Sequence, residues 1–326
     1  MSPDRPRLHT PICDVLGIRY PILLAGMGGV SMHRLVAAVS NAGGLGVLGG
    51  ATVGPRELRD EIQKVRALTD KPFAVDLLAP IPEMIRPQMQ VVFEENVKIF
   101  VAGLAVPQEF IEEMHARGMV VIVMVGKVRH AVKSAQAGAD MVVAQGTEAG
   151  GHTGEIGTLA LVPQCVDAVR IPVLAAGGIA DGRGVVAALA LGAQGVVLGT
   201  RFVATPEAQA APEYRDAILA HGEADTVRTR CYTGKPARAI RNPYIASWDR
   251  RQDEIQPFPI QAAYSIQEGV LDYMGVGRGA DPDRTFMPAG QGMGMIRQVK
   301  PAGAVLADLV REAEAVLARP PFAAVS

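Results

Sequence analysis

A histidine set among glycines is the residue of this sequence best placed for chemistry. His152 lies in the stretch Glu148-Ala-Gly-Gly-His-Thr-Gly154, shortly after an apolar run that ends near Gln145. An imidazole with an ordinary pKa of about 6.5 can take up and release a proton near neutral pH. The glycines beside it let the backbone approach a ligand closely. The stretch therefore predicts a ligand-binding loop in which His152 transfers a proton.

Two later turns have the composition of a phosphate site. Gly177 and Gly178 follow one apolar run, and Gly199 and Thr200 follow the next. Backbone N–H groups in such turns, helped by the positive end of a following helix, bind anions. Neither the G-x-G-x-x-G fingerprint of a dinucleotide fold nor the P-loop motif opens a strand–helix unit here. We therefore expect the phosphate of a mononucleotide such as FMN.

Composition excludes several other classes of protein. The chain of 326 residues has 32 Lys and Arg against 33 Asp and Glu, so it has no basic surplus for a nucleic-acid backbone. Its three cysteines lie too far apart for a disulfide framework or a four-cysteine zinc site, and no histidines have metal-ligand spacing. We recognise no signal peptide and no membrane-spanning segment. These features predict a cytoplasmic protein without a metal that acts on a small molecule.

Eight short apolar runs predict the elements that carry these residues. The runs are rich in Val, Ile and Leu without polar alternation, which is typical of strands buried on both faces. They span residues 20–26, 44–50, 72–78, 97–103, 120–126, 141–146, 171–178 and 195–202. Helical patterns separate them, with Ser31 and Asp181 as expected N-caps, over residues 31–41, 55–69, 107–117, 128–137, 159–169 and 182–191. Eight units predict an α/β fold, a (β/α)8 TIM barrel, against the alternative of an open doubly wound sheet.

The regular alternation stops after the eighth run. We interpret residues 1–205 and 296–326 as the barrel domain and residues 206–295 as a helical and loop insertion after strand 8. Such an insertion would lie over the C-terminal mouth of the barrel, where this fold keeps its active sites. Its apolar residues could form a homodimer contact. The remaining helical patterns span residues 212–220, 259–274 and 301–317.

Several of these stretches closely resemble one enzyme family. Residues 141–154 and 156–162 resemble the signature of the nitronate monooxygenases, formerly called 2-nitropropane dioxygenases. Flavin-dependent enoyl-acyl-carrier-protein reductases, quinone reductases and some acyl-CoA-modifying reductases are similar in the same places. Further matches follow in the family's order at Ser40-Asn-Ala-Gly-Gly-Leu-Gly46, Ala175-Ala-Gly-Gly-Ile-Ala-Asp-Gly182 and Ala289-Gly-Gln-Gly292.

The resemblance implies FMN bound non-covalently in the barrel, with His152 in the place of the family's catalytic histidine. Gly26 and Met27 would line the isoalloxazine, the two glycine turns would hold the phosphate, and Gln291 would approach from the insertion. The implied cofactor-binding set is Gly26, Met27, Gly28, Asp76, Gln145, Gly150, Gly151, Gly177, Gly178, Gly199, Thr200 and Gln291.

The implied reaction is oxidation of alkyl nitronates with O2 to carbonyl compounds and nitrite. The alternative is NAD(P)H-dependent reduction of an enoyl thioester, carried by acyl carrier protein or CoA, or of a quinone. Arginines between positions 228 and 251 could serve a phosphate-bearing substrate. Asp76 departs from the family, because it stands where asparagine is common. An ionised carboxylate there would disfavour an anionic substrate and a reduced, anionic flavin unless it is protonated or paired.

Overall fold

Eight parallel strands form a barrel in the computed structural model, which describes residues 6–79, 82–271 and 280–319. The strands follow one another in the order β1-β9-β8-β6-β5-β4-β3-β2, and a parallel bridge between Leu23 and Leu45 joins the first strand to the last. They are β1 (Ile22–Leu24), β2 (Gly46–Gly49), β3 (Phe73–Leu78), β4 (Ile99–Gly103), β5 (Val120–Val125), β6 (Met141–Gln145), β8 (Val173–Ala176) and β9 (Gly195–Leu198). All eight lie within the predicted apolar runs, so the (β/α)8 barrel is confirmed.

Helices alternate with these strands around the barrel. A short helix, α1 (Pro11–Leu16), precedes the first strand. The outer ring consists of α2 (His33–Asn41), α3 (Pro55–Leu68), α4 (Pro82–Glu94), α5 (Ile111–Ala116), α6 (Val128–Gln136), α7 (Thr158–Ala168), α8 (Gly182–Ala190) and α13 (Ala302–Leu317). The sequence analysis predicted neither α1 nor α4. Helix α4 contains Pro87, which cannot donate an intrahelical hydrogen bond, so its sequence is atypical of a helix.

The two expected N-caps have different outcomes. Asp181 caps α8 as predicted, since its carboxylate accepts the backbone N–H groups of Arg183 and Gly184. Ser31 does not cap α2, which begins one residue later than such a cap requires. The Ser31 hydroxyl instead accepts the Met27 N–H at 2.8 Å and lies 3.2 Å from the Met27 carbonyl oxygen. Ser31 therefore closes the turn after β1, next to predicted site residues.

The segment after β9 returns over the carboxyl ends of the strands. It contains α9 (Thr200–Val203), α10 (Pro212–Ala220), β10 (Thr226–Thr229), β11 (Ala237–Ile240), α11 (Pro243–Trp248) and α12 (Ile260–Gln267). Helix α12 is the predicted helix at 259–274, whose last three residues lie outside the described part of the chain. Strand β11 pairs with β10 and also with β7 (Gly151–His152), a two-residue strand in the loop after β6. The returning segment is thus hydrogen-bonded to the loop that carries the histidine.

Only part of the returning segment packs apart from the barrel, because its residues Tyr214, Ile218 and Ile240 belong to the large cluster around the strands. Inside the barrel, buried side chains from all eight strands form one cluster that includes Leu23, Val101 and Ile122. A separate cluster in the returning segment surrounds Tyr232 and Trp248. No helix in the described residues is long and apolar enough to span a membrane.

Close packing of α8 against α13 gives a test of the fold. A Cβ atom added at Gly182 would overlap the backbone nitrogen of Ala313. Because that contact is with backbone, we expect Gly182→Ala to lower the free energy of unfolding by about 1–3 kcal/mol. Gly303→Ala, in α13 itself, is the control, since its Cβ would approach only Ala42, at 3.8 Å. Urea unfolding of the two variants measures the difference, and equal stability would contradict this packing.

Candidate active site

A cavity of about 770 Å³ opens at the carboxyl ends of the barrel strands. Its size lies toward the upper end of the range of roughly 300–1,000 Å³ that is typical of ligand and cofactor sites. The structure brings nearly the whole predicted site together there, because the cavity is lined by Gly26, Met27, Gly28, Asp76, Gln145, Gly150, Gly151, His152, Gly177, Gly178, Gly199 and Thr200. Gln291 is the one predicted site residue that does not line it.

Strand β11 and Gln145 hold the backbone of His152 in place. His152 pairs with Ala237 of β11, and its carbonyl oxygen accepts the side-chain amide of Gln145 at 3.0 Å. The ring nitrogen Nε2 lies 2.9 Å from Oγ1 of Thr233. Thr233 is buried and lines the same cavity. Sequence reasoning missed it, because nothing in the chain links residues that are 81 positions apart.

Burial changes the acid–base behaviour of His152. Desolvation, reinforced by the positive charge of Lys235, lowers the pKa of the imidazole to about 4. This differs from the ordinary value assumed from the sequence, because a buried imidazolium loses its hydration. His152 is therefore neutral at neutral pH and can accept a proton on one ring nitrogen while it donates a hydrogen bond from the other.

A carboxylate within the histidine loop fixes its shape. Glu148 accepts the backbone N–H of Thr158 at 2.9 Å and its hydroxyl at 2.8 Å. Thr158 opens α7, and the N-cap residue before it, Gly157, offers no side chain. Glu148 therefore supplies the missing cap from the neighbouring loop. The sequence analysis gave Glu148 no role, since a cap ten positions before its helix has no local signature.

Two arginines of the returning segment also hold this loop. The buried guanidinium of Arg238 donates to the Thr147 carbonyl at 2.7 Å. Arg228 donates to the Gly154 carbonyl at 2.9 Å and forms an ion pair with Glu155. These two guanidinium groups therefore satisfy backbone carbonyls of the loop, a role that differs from the expected service to a substrate phosphate.

The Ala289–Gly292 stretch contacts the loop through backbone atoms. A Cβ at Gly290 would lie 2.5 Å from the Glu148 carbonyl oxygen, and one at Gly150 would lie 2.8 Å from the Ala289 carbonyl carbon. The Gly290 N–H donates to Oγ1 of Thr200 at 3.0 Å. Gln291 uses its backbone N–H, which donates to the Glu148 carbonyl at 2.9 Å. Its neighbouring glycines therefore provide the close approach.

The turns after β8 and β9 present free hydrogen-bond donors. Gly177 and Gly178 have φ angles of +105° and +72°, a region that favours glycine. Within the described residues, the backbone N–H groups of Gly177, Gly178 and Thr200 donate to no acceptor. The buried Arg201, which sequence reasoning overlooked although it follows Thr200, also lines the cavity. These donors fit an anion, whereas Asp181 already occupies the N-terminus of α8.

Asp76 lies beneath the turn after β1. A Cβ at Gly26 would overlap the Asp76 side chain, so glycine is required for this contact. The carboxyl group is buried and has no hydrogen-bond partner among the residues described. Burial without a counter-charge raises its pKa well above the ordinary value. A protonated Asp76 removes the electrostatic conflict that an ionised carboxylate would create.

Apolar side chains of the returning segment form the outer part of the cavity. Tyr214 also contributes, and its hydroxyl donates to the Pro288 carbonyl. The other apolar residues in this wall are Phe258, Ala262, Ile266, Leu271, Phe286 and Met287. This wall can hold an alkyl or acyl group beside the polar floor of the barrel.

Curated relatives and a family model match most of the chain. The model described as nitronate monooxygenase matches residues 9–89 and 81–312. A "(3aS,4S,5R,7aS)-5-hydroxy-7a-methyl-1-oxo-octahydro-1H-indene-4-carboxyl-CoA dehydrogenase" of Rhodococcus jostii is 43% identical over 240 residues, which are 74% of this chain and 68% of that protein. A "probable nitronate monooxygenase" of Staphylococcus saprophyticus is 38% identical in an alignment of 301 positions that covers 78% of this chain and 85% of that protein.

Solved structures share the fold over nearly the whole length. FabK from Thermotoga maritima is 38% identical, with a TM-score of 0.87 over 95% of this chain and 97% of its own. A nitroalkane oxidase from Streptomyces ansochromogenes is 30% identical, with a TM-score of 0.84 over 94% and 98% of the two chains. With the family model, these matches confirm the predicted resemblance: the chain is an oxidoreductase that belongs to the nitronate monooxygenase family.

Proposed function

We propose that this protein binds FMN at the mouth of the barrel and oxidises alkyl nitronates with O2 to carbonyl compounds and nitrite. The observation that carries the proposal is a neutral histidine and an open cluster of backbone N–H donors that line one cavity. Membership of the family and the relatives named as probable nitronate monooxygenases support it.

The residues of the cavity fit an FMN molecule. The unpaired N–H groups of Gly177, Gly178 and Thr200 are suited to its phosphate, whereas the Arg201 guanidinium already donates to the Gln298 carbonyl. The side-chain-free backbone at Gly26 and Gly28 is suited to a flat ring. Gln145, Gly150 and Gly151 would lie along the rest of the cofactor. Gln291 stays a prediction as a cofactor contact, because its side chain lies outside the lining.

The side chains of the cavity would bind the substrate and move its proton. Bound FMN supplies the acceptor for electrons from the nitronate and their donor to O2. Neutral His152 takes the α-proton of a nitroalkane. Burial raises the pKa of Asp76 and so disfavours a negative charge on the floor of the cavity. The apolar wall from the returning segment excludes water around the alkyl group.

We infer that residues 206–295 form a subdomain that covers the substrate. The separate apolar cluster around Tyr232 supports this division from the barrel, and the pairing of β11 with β7 ties the subdomain to the loop of His152. Exposed apolar residues on α12, Ile260 and Tyr264 among them, support a contact with a second copy of the chain.

A second candidate is an NAD(P)H-dependent reductase of an enoyl thioester. Two observations favour it: the apolar wall exceeds the needs of a small nitronate, and one relative at 43% identity is named a carboxyl-CoA dehydrogenase. In that reaction His152 would hold or protonate the thioester enolate. A quinone is the other acceptor predicted from the sequence.

Anaerobic mixing separates the two functions. We expect propionate 3-nitronate to bleach the visible absorbance of the purified yellow protein, and NADH and NADPH to leave it unchanged. Heat-released cofactor should chromatograph as FMN. Rapid bleaching by a pyridine nucleotide, with none by the nitronate, would replace the monooxygenase by the reductase. A protein that takes up no FMN would contradict both.

Replacing the histidine tests its part in proton transfer. We expect His152→Gln to lower kcat/KM for a neutral nitroalkane by about 100- to 10,000-fold, the usual contribution of a positioned acid or base. The bound flavin should be retained, since His152 lies away from the phosphate turns. His115→Gln is the control, because His115 pairs with Asp140 outside the cavity lining. Unchanged turnover in His152→Gln would exclude the assigned role.

The lowered pKa of His152 predicts an unusual pH profile. The reactive neutral form persists down to about pH 4, so kcat/KM should stay level where an ordinary histidine would already be protonated. Lys235→Met removes a charge that disfavours the imidazolium, so the acid limb should move to higher pH. Lys71→Met, beside Asp70 on the surface, should leave it in place. The measurement is the steady-state kcat/KM for one nitroalkane across pH. An acid limb with its midpoint near pH 6.5 in the wild type would refute the burial argument.

A further inference from the structure

The turn between β10 and β11 contacts the ring of His152 and has no assigned function. We propose that Thr233 in this turn is a positioning residue, which keeps the proton of neutral His152 on Nε2 and leaves Nδ1 as the proton acceptor. The inference rests on the proposed role of His152 as a base. It adds to that role by naming the reactive atom and the residue that selects it.

The hydroxyl of Thr233 has three neighbours. Oγ1 lies 2.9 Å from His152 Nε2, accepts the Lys235 N–H at 3.3 Å and lies 3.2 Å from the Lys235 carbonyl oxygen. A threonine hydroxyl has a single proton to donate. It can therefore donate either to the Lys235 carbonyl or to Nε2, and this choice decides which tautomer of the imidazole is stable.

Counting satisfied groups favours donation to the carbonyl. If the Thr233 hydroxyl donates to the Lys235 carbonyl, then the Nε2–H of His152 donates to Oγ1. The carbonyl, the hydroxyl proton and the Nε2–H are then all hydrogen-bonded. If Thr233 donates to Nε2 instead, the ring proton moves to Nδ1, and the Lys235 carbonyl loses its side-chain partner. Among the described residues Nδ1 has no acceptor, so its N–H would be unpaired. The alternative thus loses the hydrogen bond to the Lys235 carbonyl, so the first arrangement is preferred.

Nδ1 is free to act in that arrangement. His152 lines the cavity, and Nδ1 is not among the fully enclosed polar atoms without a partner. It therefore keeps access to the cavity, with its lone pair available to a substrate proton. The relay from Nε2–H through the hydroxyl to a carbonyl oxygen fixes the tautomer in the way that an oriented acceptor does in other histidine bases.

Backbone packing fixes the position of the hydroxyl. The Gly234 N–H donates to the Arg230 carbonyl at 2.8 Å, which closes the turn. Gly234 has a φ of +80°, and a Cβ there would overlap the Gln256 carbonyl oxygen. Thr233 itself is only 2% exposed. The turn therefore cannot shift easily to release the ring.

Nitrogen NMR of the flavin-loaded protein reads the tautomer directly. With 15N-labelled histidine, long-range proton–nitrogen spectra distinguish a protonated ring nitrogen from an unprotonated one, and His152→Gln identifies the signals of His152 among the six histidines. We expect Nε2 protonated and Nδ1 unprotonated in the wild type. A proton on Nδ1 would overturn the proposal without any variant of Thr233.

Thr233 variants then connect the tautomer to turnover. Thr233→Val should shift the population toward Nδ1–H and lower kcat/KM about tenfold with the flavin still bound, whereas Thr233→Ser should restore both. Thr229→Val removes a hydroxyl of the same segment that accepts the Cys231 N–H, and controls for a general loss of stability. An unchanged tautomer in Thr233→Val, or no recovery in Thr233→Ser, would refute the role.

The two readouts keep this proposal separate from the proposed reaction. The tautomer is measured without substrate. If Nε2 carries the proton in the wild type and loses it in Thr233→Val while no nitronate or nitroalkane is turned over, the positioning role stands and the proposed function fails. The opposite result, activity with the proton on Nδ1, leaves the function and removes the role of Thr233.

Discussion

The close backbone contact between the loop after β6 and the returning segment is the constraint on which the site depends. That loop contains only the two-residue strand β7, so its position comes from outside: from β11, from Arg238 and from the Ala289–Gly292 stretch. Gly150 and Gly290 allow the approach, because a Cβ at either would meet backbone atoms at less than 3 Å. The histidine is therefore positioned by segments that follow it far along the chain.

Burial then gives the cavity an uneven distribution of charge. Desolvation lowers the pKa of His152 and raises that of Asp76, so burial favours the uncharged form of both side chains. The turns after β8 and β9 differ, since the backbone N–H groups of Gly177, Gly178 and Thr200 are unpaired among the described residues. A negative group is therefore attracted to the end of the cavity at these turns, and the proposed proton transfer lies at the end that holds His152.

Local patterns in the sequence predicted the parts of the structure that depend on local physics. Strands buried on both faces appear as continuous apolar runs, so all eight barrel strands were predicted. The positions of the glycine turns after β8 and β9 were also predicted from the sequence. Contacts between distant segments left no such mark: the pairing of β7 with β11, the cap from Glu148 and the contact of Thr233 with His152 needed the folded chain. Ser31 was wrong as a cap, because its hydroxyl bonds to the turn before it.

Backbone contacts form one part of the site and side chains form the other, and the two parts differ in how freely their residues can be substituted. The loop that carries His152 and the turns after β8 and β9 are held by backbone contacts at glycines. A substitution there therefore requires a matching change in a distant segment. The outer wall consists of side chains from the returning segment, such as Phe258, Ile266 and Leu271, which can be exchanged one at a time. Substrate preference can thus diverge while the loop of His152 stays constant, which agrees with relatives named for a nitronate and for an indene-carboxyl-CoA.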